Sequence, residues 1–320
     1  MQILVYGIGG VGGYFGGRLT LTDSRVTFLA RGDHAEAIKR DGLKVRSIYG
    51  DFLAVPDLVT DRVDEAGNPD LVLLCTKTWQ VEEAAAELAA ILKPDSVVIP
   101  LQNGVNNAEK LARILGEERV MGGLCRIISK IDNPGVINHF AFHPQIIFGE
   151  LFDKNSQRGI HIKSLFDKAG FDSRLSEDIE LEIWRKFLFI CTLSGMGALT
   201  RSEVGVMRED PEIRSLMKET AREIIRVANA RKVFLGDEDL NKTFEAIDKQ
   251  DYHTTASVQR DIMAGRPSEI DDFNGYIVRE AERLKVKAPV NRFIYNCLMP
   301  QERAARKRLI DKNESTKGTE

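Results

Sequence analysis

Short apolar runs of strand length alternate with segments of helical spacing through the first half of the chain. The predicted strands lie at residues 3–5, 26–30, 70–75, 96–100, 120–124 and 145–148. Helical spacing lies between them at residues 14–21 and 81–92, and Asn133-Pro134-Gly135 predicts a turn. Strands that alternate with helices form a parallel sheet covered on both faces. The pattern predicts an α/β fold with a doubly wound parallel sheet.

From about residue 175 onward, the apolar positions recur at the spacing of helices. Two such series are Ile213, Leu216, Met217, Ala221, Ile224, Ile225 and Ala228, and Ile270, Phe273, Ile277, Ala281 and Leu284. The longest apolar stretch, residues 187–199, is too short to span a bilayer and is predicted as a buried helix. We expect an N-terminal domain over 1–175, an all-helical domain over 176–311, and a polar, disordered tail over 312–320.

The first strand leads directly into Gly7-Ile8-Gly9-Gly10-Val11-Gly12, here called the glycine loop. A strand that enters a helix through a tight glycine turn brings backbone N–H groups and the helix N-terminus to a pyrophosphate. A lone glycine motif is also typical of an ordinary strand-to-helix turn. Here the predicted helix and second strand complete the βαβ unit that the motif requires, so we expect all six residues to bind a dinucleotide in a Rossmann-type domain.

Arg31 follows the second predicted strand, at the place where the choice between NAD and NADP is made. An acidic residue there holds a ribose hydroxyl, whereas an arginine pairs with the 2′-phosphate of NADP. The alternative is a solvated loop arginine beside Asp33 and an NAD site. The sequence favours NADP.

Composition narrows the class of protein. A length of 320 residues suffices for two hydrophobic cores, and the formal net charge of -3 gives no general attraction to nucleic acid or an anionic membrane. Cys75, Cys125, Cys191 and Cys297 lack zinc or disulfide-framework spacing, and the histidines show no metal spacing. No signal peptide precedes the first strand. We expect a cytoplasmic, metal-free protein whose partner is a small molecule.

Four ordered motifs resemble the ketopantoate reductases. They are Thr76-Lys77-Thr78-Trp79-Gln80, Leu101-Gln102-Asn103-Gly104-Val105, Trp184-Arg185-Lys186 and Ser268-Glu269-Ile270-Asp271. The resemblance extends from Met1 to about Arg308. It implies NADPH-dependent reduction of 2-dehydropantoate (ketopantoate) to pantoate, a step of pantothenate biosynthesis.

The resemblance also implies roles for residues of the first domain. Lys77 would join Arg31 at the 2′-phosphate, and Asn103 would lie beside the nicotinamide and the substrate. Both residues follow predicted strands, at the sheet edge where α/β proteins bind ligands. The alternatives are a solvated cation for Lys77 and an Asn-Gly turn for Asn103.

In the second domain, Lys186 opens the predicted buried helix, which is a costly place for an ammonium without a function. A lysine is mostly protonated at neutral pH and can act as a general acid toward the alkoxide formed by hydride transfer. By resemblance, Glu269 would orient Lys186 or hold the substrate hydroxyl, and Ser257 would bind the substrate carboxylate. The alternatives are a snorkelling lysine and a helix start capped by Ser268, with Glu269 favoured by the helix dipole.

Two positions depart from the family pattern. Ile190 and Ser194 stand where the family has asparagines, one and two helical turns beyond Lys186. The spacing of four places them on the face of Lys186, so both are expected to contact the substrate. A reductase of another 2-oxoacid, or a non-catalytic NADPH-binding sensor, therefore remains an alternative. The amphipathic helices of the second domain suit a homodimer interface.

Overall fold

The chain divides into two compact units, Met1–Ile183 and Trp184–Glu320. The computed structural model describes residues 1–152 and 156–317. The first unit is an α/β unit, and the second is helical in its described residues. An N-terminal Rossmann-type domain followed by an all-helical domain is therefore confirmed.

The first unit is built on a five-stranded parallel sheet. The strands of the described chain are β1 (Gln2–Tyr6), β2 (Arg25–Leu29), β3 (Leu43–Ser47), β4 (Phe52–Ala54), β5 (Leu58–Thr60), β6 (Leu71–Leu74), β7 (Val97–Pro100), β8 (Met121–Asn133), β9 (Val136–Glu150) and β10 (Asp172–Leu175). The parallel sheet has the order β5-β2-β1-β6-β7. Residues 3–6 of β1, all of β6 and all of β7 are fully buried apolar runs because both faces of the sheet are covered.

Helices cover both faces of this sheet. Those of the first unit are α1 (Gly10–Leu19), α2 (Gly32–Asp41), α3 (Val81–Leu88), α4 (Asn107–Leu115) and α5 (Gln157–Ala169). On one face, Val5 of β1 and Phe15 of α1 share a core, and on the other Leu4 of β1 packs with Leu88 and Leu111 of α3 and α4. Successive residues of β1 thus serve two separate cores, which confirms the doubly wound arrangement.

A second sheet, which the sequence pattern does not predict, completes the first unit. It has the order β10-β9-β3-β4, and β8 pairs with β9 as a long antiparallel hairpin. The strands expected at 120–124 and 145–148 belong to this hairpin, apart from Val120, which forms a parallel bridge to Val98 of β7. Its turn is the predicted Asn133-Pro134-Gly135, where Gly135 has a φ of +74°. β3 was missed because its alternating buried and exposed residues give only a short apolar signal.

The second unit consists of packed helices. They are α6 (Ile179–Thr200), which begins in the first unit, α7 (Val204–Glu209), α8 (Pro211–Ala230), α9 (Asp237–Asp248), α10 (Ser257–Met263), α11 (Tyr276–Arg283) and α12 (Pro289–Lys317). A π-helical turn, Asp271–Gly275, leads into α11. α12 continues to Lys317, through most of the tail expected to be disordered, and residues 318–320 lie outside the described chain. None of the described helices is both long and apolar enough to cross a membrane.

Candidate active site

The glycine loop between β1 and α1 has the close packing of a phosphate-binding turn. Gly7 has a φ of +98°, and a Cβ there would lie 3.1 Å from the backbone N of Thr76. A Cβ on Gly12 would lie 2.1 Å from the carbonyl O of Gly7, so only glycine lets α1 start this close to β1. A Cβ on Gly9 would meet nothing within 4 Å, so there is open space at the start of the helix.

The N-terminus of α1 faces that space without a capping side chain in the described chain. Its first backbone N–H groups and the positive end of its dipole are therefore available to an anion. The side chain of Ile8 is buried and that of Val11 packs against the core, so these two residues would serve a nucleotide through their backbone. The loop fits the pyrophosphate of a dinucleotide.

Two exposed cations lie at the same sheet edge as the glycine loop. Arg31 follows β2 and Lys77 follows β6, the two strands that flank β1, and all three strands are parallel. Arg31 precedes α2 in extended conformation, and the Nζ of Lys77 lies 5.8 Å from the ring centroid of Trp79. The edge therefore carries positive charge on both sides of the loop, which fits a phosphorylated ribose.

A tyrosine and a glutamate lie beneath this edge. The hydroxyl of Tyr6, the last residue of β1, donates to the carboxylate of Glu87 on α3. Burial and this hydrogen bond raise the pKa of Tyr6, while the positive charge of Arg31 opposes the rise. Tyr6 is therefore neutral at physiological pH. The positive charge of Arg31 has an electrostatic effect on Tyr6, at the end of β1.

The loop after β7 presents buried acceptors. The side-chain amide of Asn107 donates to the carbonyl O of Asn103 at 2.9 Å, and that of Gln102 donates to the Oγ1 of Thr76 at 3.3 Å. Among the described residues, no donor reaches the Oε1 of Gln102 or the Oδ1 of Asn107, although both atoms are buried. Unpaired buried oxygens are costly, so this loop carries two oxygens whose hydrogen-bonding capacity is not met within the described residues.

In the second unit, Lys186, Ile190 and Ser194 share the long helix α6. The helix begins at Ile179, so Lys186 lies two turns inside it and does not open it as the sequence suggested. The earlier start places acidic residues ahead of the apolar stretch, where they suit the helix dipole. Lys186 and Ile190 are half-buried, whereas Ser194 is only 3% exposed.

Glu269 lies in a clamped segment just before the π-helical turn, and it is 6% exposed. The backbone N–H of Ser268 donates to both carboxylate oxygens of Glu302, at 3.2 and 2.9 Å, and its hydroxyl donates at 2.6 Å. Arg306 donates to Glu302 at 2.7 Å and to the carbonyl O of Ser268 at 3.2 Å. Ser268 also accepts from the N–H of Ile270 at 3.3 Å, as a capping serine would.

Glu302 and Arg306 were missed by sequence reasoning. They lie 34 and 38 residues beyond Ser268, on a helix whose polar positions are indistinguishable from solvent-facing ones. Nothing in the sequence pattern around Glu302 indicates that this residue is buried.

Three elements that carry candidate residues are in contact within the second unit. The rings of Phe187 on α6 and Phe273 in the π-helical turn lie 5.7 Å apart, next to Lys186 and four residues after Glu269. A Cβ on Gly197 of α6 would lie 2.6 Å from the Oε1 of Gln259 on α10, the helix that begins with the half-buried Ser257. The tertiary structure therefore brings together the segments that hold the candidate lysine, carboxylate and serine.

The first unit has a glycine loop that fits a dinucleotide, with cations on both sides. The second unit has a lysine and a buried carboxylate on elements that contact each other. Together, these features are typical of nicotinamide-dependent oxidoreductases. Within the described residues, no cluster of three His, Cys, Asp or Glu side chains has the arrangement of a metal site. The chain belongs to the ketopantoate reductase PanE/ApbA family, whose sequence profile matches residues 3–152 and whose C-terminal profile matches residues 178–302. The resemblance found in the sequence motifs is confirmed.

Individual proteins agree with this placement. The chain is 32% identical over 302 residues to the uncharacterized oxidoreductase YkpB of Bacillus subtilis, covering 94% of this chain and 99% of that one. It is 29% identical over 305 residues to the 2-dehydropantoate 2-reductase of Pyrococcus abyssi, covering 94% and 98%. The crystal structure of a PanE/ApbA family ketopantoate reductase from Ralstonia eutropha JMP134 superposes with a TM-score of 0.88 at 25% identity, covering 96% and 100%. The family comprises oxidoreductases that act on 2-oxoacids with a nicotinamide cofactor.

Proposed function

We propose that the protein reduces 2-dehydropantoate to pantoate with NADPH, in the cytoplasm, as a step of pantothenate biosynthesis. The observation that carries this proposal is the contact between the segments of Lys186 and Glu269 in a chain of this family. When bound, NADPH supplies a hydride to the ketone carbon. Lys186 stabilises the developing alkoxide and gives it a proton, so that the product hydroxyl is neutral.

Glu269 orients the ammonium of Lys186 or holds the substrate hydroxyl in this mechanism, and Ser257 binds the substrate carboxylate. The clamp between Ser268 and Glu302 keeps the Glu269 backbone in place. Such support matters because misplacement of a catalytic group by about 1 Å can cost a factor of about 100 in rate.

NADPH is proposed over NADH because of charge. Arg31 and Lys77 follow β2 and β6, the strands that flank β1, and no acidic residue occupies the place of Arg31. A 2′-phosphate would pair with these cations, whereas NADH offers them only a neutral ribose hydroxyl. Asn103 would lie at the nicotinamide end of the same edge.

A second candidate function is reduction of another 2-oxoacid. Ile190 is half-buried on the face of α6 that carries Lys186, and its side chain makes no hydrogen bond. A substrate hydroxyl that met isoleucine in place of an asparagine would lose its partner, which favours a less polar or differently shaped oxoacid.

The test is NADPH consumption with ketopantoate and with a panel of other 2-oxoacids, by the wild type and by Lys186→Ala. We expect fast turnover of ketopantoate and a loss of about 100- to 10,000-fold in kcat for Lys186→Ala. Lys163→Ala, an exposed lysine of α5 paired with Asp167, is the control that should retain activity. A higher kcat/KM for another oxoacid would select the second function, and NADPH binding without turnover of any oxoacid would indicate a sensor.

A further inference from the structure

The start of β8 runs beside β7 toward the carboxyl edge of the parallel sheet. Val120, the residue before β8, bridges Val98 of β7 in parallel, and the Sγ of Cys125 donates to the carbonyl O of Leu101 at 3.5 Å. Arg126 is the next residue, so it reaches the edge at the level of the loop that holds Asn103.

The alternation of side chains along β8 places the Arg126 side chain on the face of the strand that is directed toward the Asn103 loop. Cys125 belongs to the core beneath α1, whereas Leu124 packs in a separate cluster with Val105 of the Asn103 loop. Side chains alternate along a strand, so Arg126 lies on the face of Leu124. The register of β8 against β9 then shifts directly after Arg126. Bulges of this kind re-aim side chains and are frequent next to active sites.

Arg126 is exposed, and within the described chain its guanidinium has neither an ion pair nor a hydrogen bond. Some other arginines of the first unit have partners, such as Arg158 with Glu150 and Arg18 with the carbonyl O of Ala169. A guanidinium presents a planar fork of donors that matches a carboxylate in two parallel hydrogen bonds. Arg126 is thus a cation with no partner among the described residues, at the proposed nicotinamide end of the sheet edge.

We infer that Arg126 binds the carboxylate of the 2-oxoacid substrate, an inference that rests on the proposed function. Arg126 would place a positive charge against the negative charge of the substrate carboxylate. The two parallel hydrogen bonds of the guanidinium would fix the orientation of the carboxylate, and with it that of the adjacent ketone. Arg126 would accordingly favour a free 2-oxoacid over an uncharged derivative such as its methyl ester.

The test compares Arg126→Gln, Arg126→Lys and the wild type with ketopantoate and with the uncharged methyl ester of the best 2-oxoacid substrate. The control is Arg25→Gln, an exposed arginine at the opposite, amino end of β2. We expect Arg126→Gln to raise KM for the anion about 10- to 100-fold, with Arg126→Lys intermediate. The KM for the ester, kcat at saturation and the Kd of NADPH from fluorescence titration should stay within about twofold.

Each outcome decides a separate question. Wild-type turnover of 2-oxoacids with an unchanged KM in Arg126→Gln would overturn this inference and leave the proposed function intact. An equal rise of KM for acid and ester would show a structural role, and weaker NADPH binding alone would assign Arg126 to the cofactor. Both of these results would also overturn the inference that Arg126 binds the substrate carboxylate. Absence of any oxoacid turnover by the wild type would overturn the proposed function and this inference together.

Discussion

The carboxylate of Glu302 accepts hydrogen bonds from both the backbone N–H and the hydroxyl of Ser268. Glu302 is 1% exposed and is paired with Arg306, so a buried charge from α12 holds the residue next to Glu269. The position of a proposed catalytic carboxylate thus depends on a helix that the motif itself does not contain.

Removal of this carboxylate should destabilise the second unit. Glu302→Ala leaves the donors of Ser268 and the guanidinium of Arg306 without their partner, at a cost of about 3 kcal/mol in the free energy of unfolding. Urea unfolding followed by the fluorescence of Trp184, a buried residue of the second unit, measures it when Trp79 of the first unit is replaced by phenylalanine in every variant. The control Glu238→Ala removes an exposed carboxylate paired with Lys242 and should change little. Equal unfolding curves for the two variants would refute the clamp.

Two glycines of the glycine loop should respond differently to alanine. Gly12→Ala places a Cβ 2.1 Å from the carbonyl O of Gly7, so we expect both a lower Tm and loss of NADPH binding. Gly9→Ala has free space and an ordinary φ of −85°, so its Tm should match that of the wild type while NADPH affinity falls at least about tenfold. Thermal melts with and without NADPH separate the two effects. Unchanged NADPH affinity in Gly9→Ala would show that no phosphate lies over this residue.

Cofactor preference should depend on Arg31 and Lys77. Replacing either with alanine removes a charge-assisted contact to the 2′-phosphate, which we expect to raise the KM for NADPH about 10- to 100-fold. The KM for NADH, which lacks that phosphate, should change less than about threefold. Arg40→Ala, an exposed arginine of α2 paired with Asp41, is the matched control. If NADPH and NADH were affected equally, the site for the 2′-phosphate would lie elsewhere.

Stability at alkaline pH should depend on Tyr6. Burial and the hydrogen bond to Glu87 raise its pKa, so the folded protein keeps a proton that the unfolded chain releases above about pH 10. The stabilisation is therefore complete below pH 10 and falls by about 1 kcal/mol per pH unit above it. Thermal melts between pH 8 and 11 should show a steeper loss for the wild type than for Tyr6→Phe. Tyr49→Phe, which alters an exposed ring, should follow the wild type, and parallel curves for all three proteins would contradict the role of Tyr6.

Single strands and the glycine loop were predictable because each is encoded by a pattern of a few consecutive residues. The apolar runs of β1, β6 and β7 are buried on both faces, and the glycine loop stands between β1 and α1 where the motif requires it. The second sheet was not predictable in this way. Its strands β3 and β9 pair in parallel although about 90 residues separate them, and half-exposed strands have weak apolar patterns.

By itself, the sequence determined the glycine loop between β1 and α1, the helical second half, the positions of Arg31, Lys77 and Asn103 after strands, and the family. Each of these depends on spacing along the chain, which a sequence displays directly. The tertiary structure alone decided the burial of Glu302 against Ser268 and the placement of Arg126 beside the Asn103 loop. These contacts join residues about 20 or more positions apart, and a polar residue in a sequence carries no sign of whether folding will bury it, pair it or leave it available to a ligand.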